Sequence, residues 1–175
     1  MKTRLAKSIY GVALVSVLIL VGAAFLASTL GVKAQDKQEE QEKSEGQAKK
    51  LEGTWRVQVT IRVCQTGAEI RTFPSLVTFA QGGTMTETTS AASPALRGPG
   101  HGVWEHTGGR TYTSVMEAFT FNPAGVWSGT QRVTQTLQLE HGSDEFNANA
   151  SSEIFDANGV LLTTGCSTAV GRRLE

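Results

Sequence analysis

The sequence predicts an all-β protein: an eight-stranded, antiparallel, up-and-down β-barrel over residues 51–175. Three observations lead to this fold class. Apolar and polar residues alternate strictly from Trp55 onward, Gly, Asn, Asp and Pro punctuate the chain at short intervals, and one cysteine lies near each end of the region. Alternation with a period of two marks half-buried strands, and regular turn signals between short strands are typical of sandwiches and barrels.

The first predicted strand shows the alternation most clearly. Its odd positions carry Trp55, Val57, Val59, Ile61 and Val63, and Arg56, Gln58, Thr60 and Arg62 stand between them. The β-branched residues suit a pleated, half-buried surface. A strand with one apolar and one polar face belongs to an antiparallel sheet that covers a core on one side only.

Seven further strands follow from the turn signals. Gly-rich or Asn/Asp-rich turns occur at 81–83, 107–109, 122–125, 141–144 and 156–159. The predicted strands are 54–63, 74–80, 83–89, 102–106, 110–121, 127–139, 145–155 and 160–171. Consecutive hairpins favour an up-and-down barrel. Residues 90–101, rich in Ser, Pro and Gly, are expected to form the longest loop and to cover the barrel mouth as a lid.

The same alternation assigns inward faces to the later strands. The expected inward residues are Trp127, Gln131, Val133, Gln135, Leu137 and Leu139, then Phe146, Ala148, Ala150, Ser152 and Ile154, then Val160, Leu162, Thr164, Thr168 and Val170. On strand 83–89, Met85 and Glu87 share a face. Strand 110–121 leaves two faces open: one carries Val115, Glu117, Phe119 and Phe121, and the other carries Tyr112, Met116 and Ala118.

The two cysteines predict how the barrel closes. Cys64 ends the first strand and Cys166 lies in the last. In an exported protein a disulfide between them is expected, and two free thiols are the alternative. If the cysteines face each other on antiparallel neighbours, paired residue numbers add to 230, which places Val57 opposite Arg173. The first strand is therefore expected to pair with the last, with a disulfide that stabilises the fold by roughly 2–5 kcal/mol.

The first 50 residues differ from the rest in composition. Residues 1–34 carry an early positive charge at Lys2, Arg4 and Lys7 and then an apolar run, which predicts a signal peptide cut after Ala34. An uncleaved membrane anchor is the alternative, because the run reaches the roughly 20 residues that span a bilayer. Residues 35–50 are charged and lack aromatic residues, which predicts a disordered linker. Both alternatives place the barrel outside the cytoplasm, secreted or periplasmic.

The charge balance limits the partners. After residue 34 the chain has 12 Lys and Arg against 16 Asp and Glu, a net charge of −4. Nucleic-acid binding is not expected without a basic patch, and membrane contact is expected only through an uncleaved N-terminal segment. The expected partner is a small apolar molecule, and no cofactor is expected.

The head of the first strand resembles a known family. Gly53-Thr54-Trp55, combined with Arg172 or Arg173 at the end of the last strand, resembles the lipocalin or wider calycin pattern, and the chain is similar to small bacterial barrels of unassigned activity. The resemblance implies that Trp55 plugs one end of the barrel and that the arginine packs over its ring. Gly53, Trp55, Arg172 and Arg173 are then structural. No second family motif is present, and allene oxide cyclase-type barrels are the alternative.

The interior supplies the candidate site. An eight-stranded barrel either fills with side chains or holds one small ligand. Small residues on one wall leave room, and a few polar groups can orient a ligand, so the sequence favours a barrel that holds a ligand. The predicted lining is Met85, Glu87, Trp104, Gln131, Val133, Gln135, Ala148 and Ala150.

Two other functions stay open on the sequence. One is an isomerase or cyclase with Glu87, or secondarily Glu117, as general base. The other is a filled barrel that serves as an interaction module of the cell envelope. No nucleophile elbow, phosphate loop or zinc motif is present. His101, Glu105 and His106 are poorly spaced for one metal ion, so no metal site is expected.

Overall fold

The computed structural model describes Gly46 and residues 50–175. The predicted signal peptide, residues 1–34, lies outside the described residues, as does nearly all of the predicted linker, residues 35–50. Among the residues that are described, none belongs to a helix long and apolar enough to cross a bilayer.

Eight antiparallel strands form a single closed barrel in which each strand pairs with its neighbours in the chain and β1 pairs with β8. The predicted fold class is therefore confirmed. The strands are β1 (Gly53–Arg62), β2 (Glu69–Phe79), β3 (Thr84–Thr89), β4 (Arg97–Gly108), β5 (Thr111–Phe121), β6 (Trp127–Leu139), β7 (Glu145–Asp156) and β8 (Leu161–Arg173).

The strands are strongly staggered around the barrel. The stagger is measured by stepping from each residue to its partner on the next strand until the path returns to β8. Starting from Arg173, the successive partners are Trp55, Val77, Glu87, Gly100, Ala118, Gln131, Ile154 and Thr163. The path leaves β8 at residue 173 and returns to it at residue 163, a stagger of ten residues. Stagger, tilt and diameter are linked, and the filled eight-stranded TIM barrel has a stagger of about eight. This barrel is accordingly wider than a TIM barrel, which has the same number of strands.

Two strands begin five residues earlier than predicted. β2 begins at Glu69 rather than at residue 74, and β4 begins at Arg97 rather than at residue 102. The ladder between β4 and β5 shifts register between Arg97 and Gly100, and Pro99 is tolerated there because bulges do not require its missing N–H. The predicted loop of residues 90–101 therefore shrinks to residues 90–96.

Aromatic rings close one end of the barrel. Trp55 is fully buried and donates a hydrogen bond from Nε1 to the Leu51 carbonyl oxygen at 2.9 Å. The Arg173 guanidinium lies 4.3 Å from the centre of the Trp55 ring, and the Phe146 ring meets Trp55 edge-on at 5.0 Å. Arg172 points outward and pairs with Glu145 at 3.0 Å. Of the two candidate arginines, only Arg173 contacts the tryptophan.

The structure decides between the two faces left open for β5 and corrects the inward face predicted for β8. On β5 the buried face is the one with Tyr112, Met116 and Ala118, and it also carries Ser114. On β8 the predicted inward residues were wrong: Val160, Leu162 and Val170 are exposed, and Thr164 and Thr168 share their outward face. Small residues, namely Gly165, Ser167, Ala169 and Gly171, face the interior instead. The physical reason is crowding, because a Cβ on Gly171 would lie 2.2 Å from the Phe146 ring.

Trp127 is also misplaced by the alternation. It was expected inside with Val133 and Leu137, but it lies outside and is 46% exposed. The register shifts between Thr120 and Phe121, so that Phe121 faces Trp127 while Thr120 faces Gly129. A bulge adds one residue to the strand and reverses which face the following residue occupies. Trp127 contacts the outward ring of Phe119 at 6.4 Å.

The predicted disulfide is confirmed, and the predicted register is not. Cys64 and Cys166 are bonded, with their Cα atoms 5.2 Å apart. Paired residues of β1 and β8 add to 228 rather than 230, as Val57 faces Gly171 and Arg62 faces Cys166. Cys64 lies beyond the end of β1, so the disulfide joins diagonal positions rather than opposite ones. A disulfide of this kind fits an oxidising environment.

Candidate functional site

The interior of the barrel has two unlike halves. The plugged half surrounds Trp55, and its inward side chains are buried; they include Phe79, Met85, Trp104, Tyr112, Leu137, Leu139 and Phe146. The open half lies toward the Cys64 end, and its inward residues are only partly buried; they include Val59, Phe73, Gln131, Val133, Gln135, Ala150, Ser152, Ile154 and Ser167. Solvent therefore reaches the interior from the end opposite the plug, as deep as Gln135 and Ala150.

A charged pair lies where the two halves meet, at the position that we call the floor of the open half. Arg97 Nη1 donates to Glu87 Oε2 at 2.8 Å, and the two side chains are only 9% and 6% exposed. Arg97 Nε donates to Gln131 Oε1 at 2.6 Å. These three residues, the Arg97 cluster, come from β4, β3 and β6. Buried charges are tolerated only when they are paired and hydrogen-bonded, and this pair meets both conditions.

Small residues allow the Arg97 side chain to extend along the inner surface of the barrel between Gln131 and Glu87. In the register, Glu87 faces Gly100, Gly100 faces Ala118, and Ala118 faces Gln131. Gly100 and Ala118 therefore separate the two partners that Arg97 contacts. A Cβ on Gly100 would lie 3.2 Å from Glu87 Oε2 and 3.0 Å from Met116 Sδ. Larger residues at these positions would obstruct the side chain.

The Arg97 cluster keeps unused hydrogen-bonding atoms. Arg97 Nη1 also donates to the Gly98 carbonyl oxygen at 3.3 Å, but Arg97 Nη2 and Glu87 Oε1 have no hydrogen-bond partner among residues 50–175. The formal charges of the arginine and the carboxylate cancel. The cluster is thus a neutral group that offers both a donor and an acceptor.

Two serines add unpaired hydroxyls to the interior. Ser75 on β2 is 4% exposed and Ser114 on β5 is 2% exposed, and neither Oγ has a partner within the described part of the chain. Ser75 shares its face with Val77, and Ser114 lies in the ladder between Trp104 and Gln135. A buried polar group without a partner costs about 1–3 kcal/mol. Each such group in a native fold calls for an explanation.

The eight predicted lining residues fall into two sets. Glu87, Gln131, Val133, Gln135 and Ala150 lie in the open half or at its floor. Met85, Trp104 and Ala148 belong to the packed core of the plugged half. Trp104 is fixed there, because its Nε1 donates to the carbonyl oxygens of Ala80 and Thr84, both at 3.0 Å.

The remaining candidate residues lie away from this site. The Glu117 side chain is 58% exposed on the outer surface and pairs with Arg132 at 3.8 Å, so it does not supply a base inside the barrel. His101 and Glu105 are exposed, and His106 Nε2 lies 3.0 Å from the Gly109 carbonyl oxygen. No three His, Cys, Asp or Glu side chains among residues 50–175 converge as metal ligands.

Two grooves on the outer surface differ from the interior site. One, of about 510 Å³, follows the β1–β8 seam past Arg56, Arg62 and Arg172. The other, of about 590 Å³, lies between β2 and residues 90–94 of the loop. Loop residue Ala91 accepts a hydrogen bond from Arg71 Nη2 at 3.0 Å. Neither groove encloses a buried charged group, whereas the open half of the barrel does.

A search of solved structures finds similarity to a mycobacterial protein. No protein-family model matches the chain, and no curated protein matches it. The crystal structure of Rv2717c from M. tuberculosis is 14% identical in sequence, covers 72% of this chain and 94% of that chain, and superposes with a TM-score of 0.39. A likeness this weak carries no argument about function.

Proposed function

We propose that the protein binds a small, largely apolar molecule in the open half of its barrel. The observation that carries the proposal is the contrast between the two halves: inward side chains are sealed around Trp55 and partly exposed around Val133 and Gln135. Ligand sites are concave and mostly apolar, with a few polar groups that fix orientation. The open half has apolar walls at Val59, Phe73 and Val133 and polar groups at its floor.

The stagger and the plug support the same function. A barrel with ten residues of stagger is wider than the filled TIM barrel, and the Trp55–Arg173 contact lies at one end. That contact is also what the lipocalin-like resemblance implies, and we extend the proposal to a lipocalin-like binding protein. The disulfide supports an exported protein, secreted or periplasmic.

The observations favour a binder over the two alternatives. The Glu87 carboxylate is buried and paired with Arg97 at 2.8 Å, and a buried carboxylate in such a pair is more often structural than a general base. A filled interaction module would bury the inward residues of both halves alike. The partial exposure of Gln131, Gln135 and Ala150 is the opposite of that pattern.

A pair of tryptophan substitutions on β6 tests the proposal. Val133→Trp places an indole in the open half, whereas Thr134→Trp places the same side chain on the exposed outer face of the strand. Nile red, a neutral apolar dye, is titrated into each protein and its fluorescence is recorded. We expect the wild type and Thr134→Trp to bind it equally and Val133→Trp to lose at least tenfold in affinity. Equal binding by both variants, or none by the wild type, would contradict the proposal.

A further inference from the structure

The charge of the Arg97 cluster specifies the chemistry of the ligand. Arg97 is the buried cation of the open half, and its charge is cancelled by Glu87 at 2.8 Å. A carboxylate brought to this floor would gain the attraction of the arginine and meet the repulsion of Glu87. It would also lose its hydration, which is costly for an ion without a partner of its own.

The free atoms at the floor match an uncharged polar group. Arg97 Nη2 donates and Glu87 Oε1 accepts. The Ser75 hydroxyl, which does both, lies two positions along β2 from Val77, the register partner of Glu87. A carboxylate only accepts hydrogen bonds, whereas an alcohol or a primary amide donates and accepts. A ligand hydroxyl or amide therefore uses both kinds of atom and gives the buried Ser75 hydroxyl an available partner.

Charged residues at the open end of the barrel do not reverse this preference for an uncharged group. Arg71 lies at the mouth, where it is exposed, and its guanidinium is 5.2 Å from the Phe73 ring. Exposed ion pairs are worth about 0–1 kcal/mol, so a carboxylate gains little there. The opposite wall is lined by Ala150, Ser152, Gly165 and Ser167, which leave room for an apolar chain.

From these observations, and resting on the proposed binding function, we infer that the barrel selects an uncharged molecule. Its apolar body carries one hydroxyl or amide group that contacts the Arg97 cluster and the Ser75 hydroxyl. Carboxylates with the same apolar chain are discriminated against by Glu87.

Competition against bound Nile red tests the inference on the exported protein with its disulfide intact. The competitors are 1-decanol, decanamide and decanoate at pH 8, which share a chain length and differ in the polar end. We expect the alcohol and the amide to displace the dye at concentrations at least tenfold lower than decanoate does. Equal potency of decanoate would overturn the inference and leave the proposed function standing, because the dye still binds. Failure of the dye itself to bind would overturn both.

Charge variants give a second, directional test. Glu87→Gln keeps the shape of the side chain and leaves Arg97 uncompensated, so we expect the preference for decanol over decanoate to fall at least tenfold. Glu105→Gln removes an exposed charge on the outer face of β4 and should leave the preference unchanged. An unchanged preference in Glu87→Gln would overturn the inference.

A serine variant provides the same test without altering the ion pair. Ser75→Ala removes the unpaired hydroxyl next to the register partner of Glu87. We expect this variant to lose at least threefold in affinity for decanol while it binds Nile red as the wild type does. Unchanged affinity for decanol would overturn the role assigned to Ser75.

Discussion

At the scale of single residues, Arg173 organises the plugged end of the barrel. Its guanidinium donates to the carbonyl oxygens of Glu52 at 2.6 Å, Lys50 at 2.6 Å and Ser143 at 2.9 Å while it lies over Trp55. One side chain therefore ties the segment before β1 to the β6–β7 turn. Its neighbour Arg172 makes only an exposed pair with Glu145.

We predict that Arg173→Ala lowers the free energy of unfolding by about 2–4 kcal/mol. The loss combines several charge-assisted hydrogen bonds with the contact over the indole ring. Arg172→Ala, the matched control, should change it by less than about 1 kcal/mol, as expected for a surface ion pair. Urea unfolding of the two variants measures both values, and similar losses would show that Arg173 does not anchor the plug.

Tyr112 links the plugged core to pH. Burial raises the pKa of the Tyr112 phenol above its ordinary value of 10.0. Because the neutral phenol is favoured in the folded state, its contribution is fully present below that ordinary value and is lost as the pH rises through the folded pKa. We predict a steeper loss of stability above pH 10 in the wild type than in Tyr112→Phe. Parallel curves from urea unfolding at several pH values would contradict this.

The candidate site was only partly predictable from single residues. Glu87 stood out because a carboxylate shared a face with Met85 on a strand with an apolar face. Arg97 carried no such signal, since it lies in a Gly- and Pro-rich stretch that resembles a loop and enters β4 only through the bulge near Pro99. Ser75 and Ser114 were not distinguishable from other serines, because burial without a partner is a property of the packed barrel.

At the scale of the strands, alternation succeeds where apolar side chains mark the inner face. It places Trp55 and Val57 of β1 and Phe146 and Ala148 of β7 inside, as the structure does. It fails on β8, where Val160, Leu162 and Val170 are outside and the inner face is made of Gly, Ser and Ala. The Phe146 ring fills the space beside this face, so its residues are small. A pattern of large apolar residues therefore cannot identify it as the inner face.

Crowding on the inner face of β8 makes Gly171 sensitive to substitution. A side chain there would collide with the Phe146 ring, since even a Cβ lies 2.2 Å from it. We expect Gly171→Val to destabilise the protein by about 1–3 kcal/mol or more, in the range of overpacked cores. Val170→Ala on the outer face should cost less than about 0.5 kcal/mol. Thermal unfolding compares the two, and a neutral Gly171→Val would show that the inward face of β8 is assigned wrongly.

At the scale of the whole molecule, the sequence predicted eight strands, their antiparallel order, the β1–β8 closure and the disulfide. It did not predict the stagger. Register depends on turn lengths and bulges, such as those near Ile61 and Phe121, and a shift of two residues keeps every side chain on the same face. The expected β1–β8 register, in which paired residue numbers add to 230, is therefore consistent with the alternation, although the observed numbers add to 228.

The stagger and the plug at one end leave an open half in which the barrel can hold a ligand. Native mass spectrometry of the protein recovered from its own compartment, compared with the same sample after denaturation, shows whether a ligand is present. We expect one additional mass per chain that disappears on denaturation and belongs to an uncharged molecule with a largely apolar skeleton. A bare chain that also takes up none of the neutral lipids and pigments offered to it would contradict the proposed binding function.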